Sequence, residues 1–352
     1  MDSKTFFQFK KTGIIIKRPW RMPRPGPYYP CLVPMDGIEG FPFDYALYFS
    51  TDHHKRNGGI WLYLCSGVPS DRENWKSYNK AVKDGDFDYI DKKPRNNPIY
   101  VDKVQGRHHT ETPHVNIIGN KVYMSYHHCS RGGLQPTLLA TSTDGVSFER
   151  IHGAEDSIIL PAKPNGGHTG YFRWSKNPFH RVDYQYVGYS LHGGGDNYQS
   201  AFWGSKDAIN WEKIHIFTPK EGFAMEDANL IMIPHEIDPG SAQRIGEDEY
   251  VLLSCGGNRA SGGTHRTVKL FEIYMAGDGA TLTRQSRQIL PNGSRGSLDH
   301  EEAANPTLTK IRDAVHLLYI GTAKKARKNT VMGAVGTFNA QAEPSKRIES
   351  TK

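Results

Sequence analysis

Thr141-Ser142-Thr143-Asp144-Gly145-Val146-Ser147-Phe148-Glu149-Arg150 returns in altered form as Gly204-Ser205-Lys206-Asp207-Ala208-Ile209-Asn210-Trp211-Glu212-Lys213. Each copy sets Ser-x-Asp before a turn and an aromatic, an acidic and a basic residue after it. Looser copies are Ser70-Asp71-Arg72-Glu73-Asn74-Trp75-Lys76 and Gly277-Asp278-Gly279-Ala280-Thr281-Leu282. Asp71, Asp144, Asp207 and Asp278 stand about 63–73 residues apart, longer than the ~40–50 of small propeller repeats. An aspartate in such a turn caps backbone amides, and the aromatic after it packs back onto a hairpin. The turns therefore read as structural, and they define a repeating unit.

Each turn is followed by a short strand ending near proline: Asn97 to Tyr100, Ile158 to Pro161, His215 to Pro219 and Gln288 to Pro291. A polar loop rich in Gly, His and Glu then opens the next unit. Second strands are predicted at Tyr45–Ser50, Val122–Tyr126, Tyr186–Leu191, Tyr250–Ser254 and Val315–Ile320. Third strands follow at Ile60–Cys65, Thr137–Ala140, Gln199–Trp203, Val268–Ile273 and Thr330–Val335. Between Val115 and Val122 the Gly119-Asn120 pair is a strong hairpin signal. Five units of about four strands, with no convincing helix between them, predict an all-β fold, a five-bladed β-propeller of four-stranded antiparallel blades. A two-sheet sandwich is the alternative. The last unit lacks a fourth strand, and Lys11-Thr12-Gly13-Ile14-Ile15-Ile16-Lys17 is placed to supply it and close the ring. No linker divides residues 1–352, so a single domain is expected, with ordered blades over about 11–340 and a tail beyond.

Composition agrees. With 36 Gly, 21 Pro and 18 Tyr among 352 residues, the chain reads as turns and aromatic strands. No apolar run approaches the ~18–20 residues of a membrane helix, and no signal peptide is visible, which leaves cytoplasmic or exported after processing. No membrane partner is expected. Cys31, Cys65, Cys129 and Cys255 fall in or beside predicted strands and read as small buried thiols. The net charge of +7 suits an anionic glycan, but the basic residues are scattered, so nucleic acid is not expected. Oligomeric state leaves no trace.

In an antiparallel blade, the loop leading into the first strand and the loop leaving the second lie on one face. That face collects Tyr28, Tyr29, Asp52, His53 and His54 from unit one, and His108, His109, Glu111, His127 and His128 from unit two. Units three to five add His168, His192 and Asp196; Glu226, Asp227 and Arg259; and Asp299, His300, Glu301, Glu302 and Lys324. Converging carboxylates suit glycoside hydrolysis, in which one acid protonates the leaving oxygen and an opposing carboxylate activates water or attacks the sugar. Imidazoles and an arginine suit hydroxyls or acidic sugars. His53, His109, His127, His168, His192, Asp227, Arg259 and Glu301 are the expected substrate-binding residues, and Glu111 and Asp52 the expected catalytic carboxylates on this face.

The unit layout, Thr110-Glu111-Thr112-Pro113-His114-Val115 leading through Gly119-Asn120 to Val122–Tyr126, and then Ala140–Glu149, resembles the five-bladed propeller glycoside hydrolases. These are the arabinanases, β-xylosidases, invertases and related marine galactosidases, and the resemblance covers most of the chain in pattern. It implies a base or nucleophile in the first blade, a supporting aspartate in the third and a general-acid glutamate near the fourth. Glu226 stands where the fourth-blade acid would, and is the implied acid. Tyr28-Tyr29 stands at the first-blade position of the aspartate, with Asp44 or Asp52 as substitutes, and His168 stands at the third. The resemblance also implies a divalent cation such as calcium at the propeller axis, with His300 as a candidate ligand, although no cofactor is required by the carboxylate chemistry. No HxxxH or CxxC spacing marks a zinc site. Two other readings compete with hydrolysis of an oligo- or polysaccharide: a non-catalytic glycan-binding propeller, and a polysaccharide lyase using His and Tyr on uronic acids.

Overall fold

The computed structural model describes residues 5–51, 58–102, 108–129, 133–151, 157–162, 167–193, 199–217, 223–226, 231–259, 265–323, 328–343 and 345–348. Strand β1 (Phe7–Ile16) opens the chain. The first blade follows, as β2 (Pro27–Pro34), β3 (Tyr45–Thr51), β4 (Ile60–Cys65) and β5 (Trp75–Ser77), with a short helix of about two turns, α1 (Tyr78–Asp84), behind it. The second has β6 (His108–Ile118), β7 (Lys121–Cys129) and β8 (Thr137–Ser142), with β9 (Glu149–Arg150) and β10 (Ile158–Leu160) both on the outer edge of β8. The third is β11 (Arg173–Lys176), β12 (Tyr186–His192), β13 (Gln199–Ser205) and β14 (Trp211–Phe217). In the fourth, a short β15 (Phe223–Ala224) precedes β16 (Ile231–Arg244), β17 (Glu249–Arg259), β18 (His265–Ala276) and β19 (Arg287–Leu290). The fifth is β20 (Glu302–Ile311), β21 (Ala314–Ala323) and β22 (Lys328–Phe338), completed by β1 from the other end of the chain.

The inner strands β2, β6, β11, β16 and β20 touch one another in cyclic order, which closes a propeller-type ring. Closure is by the amino-terminal strand, as its sequence suggested: β1 pairs with β22 from Phe7↔Phe338 to Ile16↔Val331. Lys11 adds an ion pair with Asp299 (2.6 Å), which holds the Asp299 carboxyl below its usual range. Among the described residues no helix is long and apolar enough to cross a membrane. Beyond β22 the chain turns back along the fourth blade, where the Gln285 N–H donates to the Lys346 carbonyl (2.9 Å).

The repeated aspartates do what their turns require. Asp144 Oδ1 accepts the N–H groups of Val146 (2.8 Å) and Ser147 (2.7 Å), and Asp207 Oδ1 those of Ile209 (2.9 Å) and Asn210 (2.7 Å). The turns also tie blades together. The buried Tyr48 hydroxyl of blade one donates to the Gly145 carbonyl of blade two (2.8 Å), and Tyr189 of blade three to Gly279 of blade four (2.7 Å). Both glycines take left-handed φ, +76° and +65°, at no steric cost.

Two local expectations are corrected. Blade one contains α1, capped by Ser77 and Gly85, where no helix was expected. Its fourth strand is β5, because Trp75 can pair against Cys65 immediately after the Asp71 turn. The segment Asn97–Tyr100 only bridges to Ile60, and Asn97 holds the Leu62 backbone through its side chain.

The closing strand is anchored by Glu272, whose carboxyl accepts the Phe6 N–H (3.0 Å), the Phe7 N–H (3.1 Å) and the Tyr274 hydroxyl. Burial pushes this carboxyl up to about 7. The folded state therefore holds its proton more tightly than the unfolded chain does. The associated stability is fully present below the ordinary glutamate value of about 4 and is lost as pH rises through 7, by up to roughly 3 kcal/mol. Glu272→Gln removes this ionisation. Urea unfolding at pH 5 and pH 8 is expected to show a larger loss for the wild type than for the variant. Identical pH dependence in the two proteins would contradict the assignment.

Candidate active site

Hairpin β6–β7 places one carboxylate among imidazoles. Ile118 pairs with Lys121 across the two-residue turn, where Gly119 takes φ +63°. A one-residue register shift between Glu111 and His114 then sets Glu111 opposite His127. Glu111 is fully buried and accepts a hydrogen bond from His109 Nδ1 (2.8 Å), while its other oxygen faces His127 Nε2 at 3.9 Å. His127 Nδ1 meets Thr112 Oγ1 at 2.6 Å, so both edges of the ring are engaged.

Blade three supplies the opposite wall. The His168 ring lies 5.2 Å from His127, and Tyr171 stacks on His127 at 5.6 Å. His168 Nδ1 accepts the Gly170 N–H (2.9 Å), which leaves its proton on Nε2. Tyr28 of blade one reaches across to Tyr171, hydroxyl to hydroxyl at 3.4 Å. An added Cβ at Gly170 would come within 2.6 Å of both the His127 and His168 rings. Only glycine lets the backbone pass beneath them.

The floor is an axial cluster that the sequence reading missed. Arg173 is 1% exposed and lies over the Tyr29 ring at 4.5 Å. Its Nε donates to Glu236 Oε2 (2.6 Å) and its Nη2 to the Pro30 carbonyl (3.2 Å); Asn305 Nδ2 donates to the other Glu236 oxygen. Burial raises the Glu236 carboxyl against the pull of Arg173, and burial likewise raises the Tyr29 phenol. Tyr29, Thr112, Tyr171 and Asn305 all take left-handed φ between 51° and 57°. Three of them precede a proline: Pro30, Pro113 and Pro306. Register shifts fall at these points in β2, β6 and β20, and at Pro234–Glu236 in β16. Four of the five inner strands thus bulge at the axis, where a free strand edge tolerates proline and the bulge turns a side chain toward the channel. That repeated x-Pro was the signal available in the sequence.

Two residues further along the same strands, Cys31, His114, Asp238 and Thr307 line a cavity of about 530 Å³ on the far side of the cluster. There His114 Nε2 donates to the Trp174 carbonyl (2.6 Å), and burial drops the imidazole to about 3, so it stays neutral.

The structure thus brings together Glu111, His109, His127 and His168. It places the other expected residues elsewhere or not at all. Glu226 is ion-paired with Arg287 and accepts the Lys346 N–H (3.4 Å), beside the fourth strand of blade four. Glu301 leads into β20 with its N–H on the Thr322 carbonyl (3.3 Å). The exposed His300 faces the Gly293 carbonyl (3.0 Å). His192 ends β12 opposite Gln199. Arg259 enters through its backbone pairing with His265. Asp52, His53 and Asp227 lie outside the described residues. No group of three or more His, Cys, Asp or Glu among the described residues is arranged to hold a metal ion.

No protein-family model matches the sequence, and no curated protein matches it. Solved structures match it along nearly their full length. An N-acetylgalactosamine deacetylase from F. plautii, in complex with blood group B trisaccharide, superposes with a TM-score of 0.66 at 14% identity, over 96% of this chain and 97% of that one. A structure from the mannoside phosphorylase family, which contains glycoside hydrolases targeting β-1,2 mannosidic linkages in Candida mannan, gives 0.61 at 13% over 98% of each chain. The endo-arabinase from Bacteroides thetaiotaomicron gives 0.54 at 12%, over 95% and 99%. The chain has the fold of propeller-type carbohydrate-active proteins, several of them glycoside hydrolases.

Gly170→Ala tests the packing of the two imidazoles. It is expected to weaken glycan binding or turnover at least tenfold, because the added methyl must displace His127 or His168. Unchanged function in a folded Gly170→Ala protein would remove these rings from the site.

Proposed function

We propose that the chain is a hydrolase acting on an oligo- or polysaccharide, cleaving a glycosidic bond at the mouth formed by blades one to three. The carrying observation is Glu111, fully buried yet held by His109 and facing His127 at the start of an inner strand. The His109 hydrogen bond fixes the orientation of the carboxylate, and Tyr171 and Tyr28 offer flat and hydroxylated surfaces beside it. Resemblance in fold to glycoside hydrolases supports the reaction class. In this reading Glu111 works with a second carboxylate, and Asp52 is the proposed partner. Asp52 follows Thr51 at the end of β3, the strand whose Ser50 hydroxyl accepts the Thr112 N–H beside Glu111 (3.2 Å). Glu226 fits the acid role poorly, since its ion pair with Arg287 favours the charged form over the proton-bearing one.

A second reading is favoured by the donor set itself. The described mouth holds one carboxylate and three imidazoles, which suits general-base activation of water against a carbonyl as well as it suits paired carboxylates. Removal of an acyl group from an amino sugar is therefore the alternative, in keeping with the deacetylase among the structural neighbours.

Glu111→Gln is expected to keep the fold and lower turnover at least 100-fold, whereas Glu226→Gln should lower the melting temperature and leave turnover within about threefold. Release of new reducing ends from a glycan panel supports glycoside hydrolysis. Release of acetate without reducing ends supports the alternative. An active Glu111→Gln protein, or turnover lost only in Glu226→Gln, would overturn the assignment.

A further inference from the structure

The connection between β1 and β2 carries a feature that the Glu111 site does not use. From Ser3 to Met35 the sequence holds no acidic residue, and Lys17-Arg18-Pro19-Trp20-Arg21-Met22-Pro23-Arg24-Pro25 runs through its middle. Trp20 is 87% exposed, the most exposed large apolar side chain among the described residues. A tryptophan left in water so completely is not serving the core.

The segment is nonetheless built. The Met22 N–H donates to the Pro19 carbonyl (3.1 Å), closing a turn with Trp20 and Arg21 at its tip. Met22 is 1% exposed, packed among Ile15, Ile16, Phe49 and Trp61, and Arg18 donates back to its carbonyl. Arg21 takes φ +69°, a conformation that glycine or asparagine would adopt with less strain. The Asn329 N–H holds the Pro25 carbonyl (2.9 Å), which brings the exposed Lys328 beside the turn. No ion pair is found for Lys17, Arg21, Arg24 or Lys328 among the described residues. The turn sits at the same end of the blades as the candidate site, since two residues after Pro25 the chain enters β2 and at once supplies Tyr28.

We propose that this turn is a subsite for an anionic glycan, with Trp20 stacking on a sugar ring and Lys17, Arg21, Arg24 and Lys328 pairing with its sulfate or carboxylate groups. An indole face matches the apolar face of a pyranose, and arginine forks match sulfate and carboxylate oxygens. The net charge of +7 adds long-range attraction for a polyanion. A glycan occupant, rather than nucleic acid or a membrane, follows from the turn's place at the mouth of the proposed hydrolase. The inference rests on that reading for its choice of ligand and gives it a substrate class.

Binding separates the two ideas, because it needs no turnover. The probes are a sulfated galactan, polygalacturonate and a neutral galactan, measured by affinity electrophoresis or calorimetry across a salt series. Trp20→Ala is expected to weaken binding of the anionic polymers at least fivefold. Arg21→Gln with Arg24→Gln should weaken it about tenfold and reduce the slope of log affinity against log salt by about two. Neutral polymer binding should not change in the double arginine variant. Preference between sulfated and uronate polymers tells which anion is read. Retained affinity and salt slope in these folded variants, or no binding of either polyanion by the wild type, would overturn the proposal. So would equal binding of duplex DNA or phosphatidylserine vesicles through the same residues. If Glu111→Gln abolishes turnover while the turn variants bind normally, only the subsite fails. If the turn binds polyanions but no glycan is hydrolysed, only the proposed activity fails.

Discussion

The ion pair of Arg173 with Glu236 is the constraint on which the centre of the molecule depends. Blade three supplies the cation and blade four the anion, blade one contributes the Tyr29 ring and the Pro30 carbonyl, and blade five contributes Asn305. A ring of inner strands cannot fill its axis with backbone, so side chains must do it. The pair is almost completely buried, so its Coulomb attraction is offset by the cost of removing both charges from water, and its value lies in fixing geometry. Loss of either partner would strand the other. Because the cluster closes the axis, it separates the carboxylate and imidazoles of one mouth from the neutral His114 cavity beyond. It also holds Tyr29 and Tyr171 edge to face at 5.4 Å, and Tyr171 is the surface on which His127 rests.

The architecture was legible because it repeats. The Asp144 and Asp207 turns spaced the units, and β4 falls on the residues read as the third strand of the first unit, Ile60–Cys65. Amino-terminal closure was legible for a related reason, since the fifth unit was one strand short. What went wrong in blade one went wrong locally. The stretch after Trp75 folds into α1, whose Ser77 cap and Gly85 stop are ordinary helix signals overshadowed by the strand repeat. The site was legible only in part. The turn at Gly119 sets a register that would put Glu111 opposite His128, and the bulge at Thr112-Pro113 moves it to His127, so the hairpin alone brought the carboxylate only to the neighbouring imidazole. Arg173 and Glu236 could not be read, because each sits in a strand whose polar residues look like solvent-facing positions until the ring places them at its axis. The bulge-forming Tyr29-Pro30, Thr112-Pro113 and Asn305-Pro306 pairs carried that information, spread over three blades.

The two mouth-facing features divide the work by range. Glu111 and its imidazoles form a compact, largely dry cluster in which hydrogen bonds decide which atom carries a proton. The Trp20 turn is exposed and cationic, so its influence falls off over roughly 8–10 Å at physiological salt and acts on a chain rather than on a bond. A polymer held at the turn and cut or deacylated at the cluster would have to run across blade one, past Tyr28.

The proposed function places ligand chemistry at the Glu111 mouth and not at the opposite end of the axis. Nitrogen NMR of the histidine side chains during titration with an acidic oligosaccharide tests it directly, because imidazoles line both ends. Shifts are expected at His109, His127 and His168 with His114 unmoved. Perturbation of His114 with the other three silent would place the ligand at the far cavity and contradict it.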